Sequence, residues 1–187
     1  TRRTRRCRVS SQLMRMLSAY LHVLGVATYL GGSIIMEFVV GPAQKAIPPA
    51  QAQVMGKKTA DRFLVFAWSA LGLIVISGIM RLYSTGTEMF ITGAALWDSA
   101  YGRTLMTMVI LWFVLVINGS IITFVLRPKL VGRTGAGVSA TQVQAHQQGQ
   151  IQAAAWVERI TRIDLGIAMV VALLGTALQF GGIETIF

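Results

Sequence analysis

Residues 105–126 read LMTMVILWFVLVINGSIITFVL, without one charged side chain. An α-helix rises 1.5 Å per residue, so a run of this length covers the ~30 Å hydrocarbon core of a bilayer. Apolar and polar residues do not alternate along it, which argues against a strand of a membrane barrel. Residues 63–80, FLVFAWSALGLIVISGIM, are uncharged too. Two further runs are long and mostly apolar but carry polar groups. His22 and Glu37 interrupt the first of these, and Arg162 and Asp164 open the last. The expectation is an all-α integral membrane protein: a bundle of four transmembrane helices over about 17–40, 63–83, 105–126 and 162–183. An Arg-rich tail, residues 1–12, precedes the membrane domain of residues 13–187.

Composition points the same way. Of 187 residues 54% are hydrophobic and 13% charged, with mean hydropathy +0.62. Soluble domains carry about 25% charged residues. The charges present gather at the ends and connections, because a charge at bilayer mid-depth costs at least ~2.5 kcal/mol. The net charge of +10 raises nucleic acid as a partner, but no basic platform interleaved with aromatics supports it. The cations flank apolar runs, as in contacts with anionic lipid. Arg2, Arg3, Arg5, Arg6 and Arg8 are accordingly expected to touch lipid or a partner protein. A single cysteine, Cys7, excludes an intrachain disulfide and a thiolate cluster. No cleavable signal is expected, since the first apolar run is too long for one.

Gly41-Pro42, Arg81 and Arg127-Pro128-Lys129 are expected to close the first three helices, proline by stopping them. The connection 84–103 holds a short apolar patch, Met89 to Trp97, too short to cross. Val131 to Ser139 has the composition of a flexible link, and Gln142 to Ala155 that of a helical extension of the fourth span. Orientation stays open. The cations at the N-terminal face and those at the opposite face number eight and nine, a tie under the positive-inside rule.

Polar groups inside a membrane are functional candidates by default. His22 is the clearest, as an imidazole that ligates copper or haem iron, relays a proton, or bonds a neighbouring helix. The other histidine, His146, lies in a polar connection, so a bis-histidine haem inside the bundle is excluded. Haem would need methionine as its second ligand, or an open position. Met36 and Met106 are candidate thioether ligands among nine methionines. Met36 shares a helix face with His22 but lies ~21 Å further along the axis, so one ion does not touch both. Glu37, Glu158, Arg162 and Asp164 are expected as interfacial ion pairs or an entry path for a proton or metal. Asn118 is expected to hydrogen-bond across the bundle. Ala27 with Gly31, Thr28 with Gly32, and Ala168 with Ala172 show small-xxx-small spacing, suited to close helix contacts within the chain or with another subunit. No Walker loop, dinucleotide fingerprint, nucleophile elbow or HExxH occurs, so an enzyme is not expected.

Four segments, in order, carry a likeness. Leu21-His22-Val23-Leu24-Gly25 leads to Tyr29-Leu30-Gly31-Gly32 and then Pro42. Arg62-Phe63 leads through Ala67-Trp68 and Ala70-Leu71 to Ser77-Gly78. Asn118 precedes Leu126-Arg127-Pro128-Lys129-Leu130, and Asp164-Leu165-Gly166 follows. Together, over about residues 20–180, these resemble the copper resistance protein D (CopD) family of bacterial inner-membrane proteins. The resemblance implies a four-helix domain that handles or transports copper, with loops 41–62 and 127–157 cytoplasmic. HemJ-type protoporphyrinogen oxidases also place a histidine in a first helix, but their further histidine and charged elements are not found in this chain. A second expectation is a non-catalytic accessory subunit of a larger respiratory or photosynthetic membrane complex; a haem-binding redox protein is third.

Overall fold

The structure, a computed structural model, describes residues 2–87, 95–131 and 140–183; the side chains of residues 1–11 fall outside that description. Helix α1 covers Arg2–Ile35 and passes through a π-helical turn, Met36–Val40, into the short α2, Gly41–Lys45. Helix α3 is Pro49–Thr85, α4 is Ala95–Asp98, and α5 is Ala100–Ser120. A second π-helical turn, Ile121–Leu126, joins α5 to α6, Arg127–Val131, and α7 covers Ala140–Ala177. Among the described residues, four stretches are long and apolar enough to cross a membrane: Gln12–Lys45, Val54–Thr85, Ala100–Leu130 and Gln148–Phe180. The protein is a multi-pass, all-helical membrane bundle.

The distribution of side chains shows what solvent the bundle expects. Many of its best-buried positions are small, such as Ser18, Ser77, Ala70 and Ala153, while Phe66, Phe113, Phe124 and Leu173 point outward. In water this arrangement would forfeit the hydrophobic effect. In lipid it is favourable, because large apolar groups lose nothing outside and small residues let backbones approach.

Helices α1 and α3 form an antiparallel pair. On α1 the contact positions Ser18, His22, Gly25, Tyr29 and Gly32 alternate in steps of four and three, the spacing that keeps a seam facing one partner. Ser18 Oγ lies 3.5 Å from Ser84 Oγ at one end, and Phe63 covers Gly32 at the other. Between them Gly25 sits against Ile74 and the Ala70 carbonyl, so closely that a β-carbon there would stand 2.9 Å from Ile74. Helices α5 and α7 make the second pair, sharing Leu115 and Ala168 with the central cluster of Tyr29, Ala67, Ala70 and Leu71.

Two prolines expected to stop helices do not. The Gly41 amide bonds to the Met36 carbonyl and the Arg127 amide to the Ile122 carbonyl, each five residues back. A wider turn takes the strain of the proline that follows, Pro42 or Pro128, and the helix continues. Arg81 does not end α3 either, which runs on to Gly86, whose φ of 72° makes the left-handed cap. The first helix likewise extends back through the expected tail to Arg2. Most of the Met89–Trp97 patch and of the Val131–Ser139 link lies outside the described residues.

Candidate functional site

Both π turns lie in the half of the bundle that holds α2 and α6, and between them opens a crevice of about 170 Å³. One wall comes from the α1–α3 pair, with Tyr29, Phe63, Trp68 and Leu71. The other comes from Gly119 and Ile122 near the end of α5 and from Val157, Thr161 and Asp164 near the middle of α7. Met36 and Glu37, the first residues of the first π turn, and Ser33 complete it. π-Helical turns re-aim side chains and recur at functional sites; here one presents Met36 and Glu37 and the other presents Ile122.

Asp164 is the buried acid of this crevice, 6% exposed. Asn118 Nδ2 donates to its Oδ1 at 2.7 Å, tying α5 to α7. Among the described residues no cation pairs with Asp164. On the opposite wall the Trp68 indole donates to Thr123 Oγ1 at 3.3 Å, which fixes the ring across the gap between the two helix pairs.

The mouth is held by ion pairs that join the hairpins. Arg162 Nε donates to Glu37 Oε1 at 2.7 Å, while its other arm reaches Glu158 Oε1 at 2.6 Å. Lys45 Nζ lies 3.6 Å from the same Glu158 oxygen. On the far side Arg127 pairs with Asp61. Through these charge-assisted hydrogen bonds Arg162 bridges α7 to the π turn that follows α1.

His22 is elsewhere. Its Nδ1 lies 3.1 Å from both the Ile74 carbonyl and Ser77 Oγ, within the α1–α3 seam, and Gly78 leaves room for the ring. The carbonyl contact requires a proton on Nδ1, so His22 donates there and serves as a bridge between helices. Met36 is in the crevice, whereas Met106 lies near the start of α5, toward the opposite membrane face. The candidate ligands His22, Met36 and Met106 are thus distributed over the bundle, and no group of three His, Cys, Asp or Glu suited to a metal occurs among the described residues. The side chain of His146 and those of Arg2, Arg3, Arg5, Arg6 and Arg8 lie outside the described residues.

Glu37, Asn118, Glu158, Arg162 and Asp164 do come together, around the crevice and its mouth. Sequence reasoning missed Tyr29, Trp68 and Thr161 as part of the crevice lining around Asp164. Their signal was weak, because an aromatic or a threonine in an apolar helix reads as packing. Of the small-residue pairs, Gly32 and Ala168 are packed, but among the described residues nothing lies within 4 Å of where a Gly31 β-carbon would stand, and Ala27 and Thr28 are exposed. Compared with protein-family models, with curated proteins and with solved structures, the chain matches none.

Proposed function

We propose that the protein handles a cation within the bilayer, held at the Asp164 carboxylate in the crevice between the two helix pairs. One observation carries this reading. A carboxylate removed from water, bonded by a single amide and facing no cation among the described residues, is stable in hydrocarbon only beside a proton or a cation. The crevice provides the space, and the ion pairs at its mouth provide a route lined with charge.

The likeness to copper resistance proteins implies copper as the cargo. The donors present, one thioether at Met36 with the carboxylates of Glu37 and Asp164, do not fit a resident Cu(I) site, which favours thiolate, thioether or imidazole in number. Copper in this reading is cargo in passage. A resident haem has still less support, since among the described residues the lining of the crevice holds one thioether, Met36, and no imidazole.

Dicyclohexylcarbodiimide, which modifies protonated carboxyls in apolar surroundings, tests the proposal. It is expected to label Asp164 in the full-length protein, not to label Asp164→Asn at that position, and to be slowed by the cation that binds. Labelling insensitive to Cu(I), to alkali cations and to organic cations alike would remove the reading.

The accessory-subunit reading draws support from the face at Ala27 and Gly31, small residues of which Ala27 is exposed and Gly31 has nothing packed where a β-carbon would stand among the described residues. A single-chain mass in mild detergent, without co-purifying proteins, would remove it.

A further inference from the structure

We infer that the cation taken into this crevice is a monovalent organic ammonium bearing an aromatic or other apolar group, exchanged for a proton on Asp164. The inference rests on the cation reading above and names its substrate class.

Three features of the crevice distinguish this class from inorganic ions. First, a single buried carboxylate shares the lining of the crevice with three aromatic side chains, Tyr29, Phe63 and Trp68. The ring faces carry negative charge density and attract a cation whose hydration shell is already weak. Second, the lining is mostly apolar. A hard divalent ion needs about six oxygen donors; of the side-chain oxygens on the wall, those of Ser33 and Thr161 donate to carbonyls of their own helices and Glu37 is bonded by Arg162, which leaves Asp164 and the Tyr29 hydroxyl. An organic cation needs one anion for its head and apolar surface for its body. Third, a cavity of about 170 Å³ is far larger than a bare ion requires. It is smaller than the ~300 Å³ or more of drug-sized sites, which suits one ring and one ammonium head.

The exchange balances in atoms and charge. With the crevice empty, Asp164 holds a proton, and its Oδ1 accepts from Asn118. When the ammonium enters, the carboxylic O–H bond breaks, the proton leaves to water, and the carboxylate faces the incoming cation. The net charge of the site is the same before and after, so neither state leaves a bare ion in hydrocarbon. Tyr29 and Glu37 are the other ionisable groups on the described wall, and Glu37 is held by Arg162. Lower pH therefore opposes binding, because the proton and the ammonium compete for one carboxylate.

The test uses the full chain in mild detergent, titrated with benzyltrimethylammonium by calorimetry and by tryptophan fluorescence. The expected result is saturable binding that weakens as pH falls and releases protons, unaffected by sodium at the same concentration. Asp164→Asn, which keeps an acceptor for Asn118, is expected to weaken it on the order of 100-fold through loss of the buried charge pair. Asp164→Glu restores most of it and guards against a folding artefact. Trp68→Leu costs about tenfold through the lost ring face. Absence of saturable binding, equal competition by sodium, or binding unchanged in Asp164→Asn would overturn the inference. If Cu(I) slows carbodiimide labelling of Asp164 but benzyltrimethylammonium does not, the cation reading stands and this inference falls. If no cation slows it, both fall.

Discussion

The α1–α3 seam and the crevice between the hairpins are neighbouring helix interfaces built on opposite principles. The seam is continuous and small-grained. Ser18, Gly25 and Gly32 bring two backbones together over several turns, and His22 fills its own place with bonds to Ile74 and Ser77. The crevice is interrupted by π turns, lined by large rings and closed by charges. In lipid no hydrophobic effect drives helices together, so close packing supplies cohesion where it is dense. Where packing is absent, polar bonds must hold the gap, and those can be exchanged for a ligand. A buried polar residue therefore means different things in the two places. In the seam His22 has its polar neighbours; in the crevice Asp164 still has capacity for one.

The sharpest way to break this contrast is to spoil the seam. Gly25→Leu would place a branched side chain where even a β-carbon stands 2.9 Å from Ile74 and 3.3 Å from the Ala70 carbonyl. Backbone atoms do not yield as a flexible side-chain tip does, so the helices must part. Overpacking of this kind costs about 1–3 kcal/mol, and here it acts on the longest helix contact in the molecule. Thermal unfolding in detergent, followed by tryptophan fluorescence, is expected to show the largest loss of all variants considered. A melting temperature within a degree of wild type would show that the pair is less tightly seated than its geometry indicates.

The next effect lies at Asn118. Asn118→Leu removes the donor to Asp164 Oδ1 and leaves the buried acid without its bond. An unmet buried polar group costs about 1–3 kcal/mol. The same substitution in an Asp164→Leu background should cost clearly less, since no acid remains to be served. A double-mutant cycle on melting free energies reads the difference. Strict additivity would mean that the two residues do not support one another, and the crevice would lose its anchor between α5 and α7.

Much of this architecture was legible in the residues. Four spans follow from apolar length, two of them without a charge, and the polar groups that ring the crevice follow from their cost in lipid. His22 attracted attention for the same reason, and its environment could not be read, because partners 52 and 55 residues away depend on how α1 and α3 face one another. The seam itself was missed. Its heptad steps run through Ser18, Gly25 and Gly32, whereas the spacing that drew notice, Ala27 with Gly31, points to an uncovered face. The prolines misled most. Pro42 and Pro128 carry the rule for helix ends, and only the tertiary setting shows that a wider preceding turn absorbs them. Those turns give the crevice its shape, so the least legible local feature is also the one nearest to function.

The smallest expected change in stability comes from the mouth. Arg162→Gln breaks the bonds to Glu37 and Glu158 at once, yet the side chain is mostly exposed, and exposed ion pairs are screened by water and salt. The melting temperature should fall less than in Gly25→Leu or Asn118→Leu, and the difference should shrink as salt is raised. Reactivity should move the other way. With the bridge between α7 and the first π turn gone, the hairpins have less to hold them at this end, and carbodiimide should reach Asp164 faster than in wild type. Gly25→Leu works through the seam, leaves that bridge in place, and offers the control. Faster labelling in Arg162→Gln at nearly unchanged stability would separate the two interfaces by function as well as by packing. Equal labelling rates would mean that the ion pairs cover the crevice without governing access to it, and that entry runs between the helices from the lipid side.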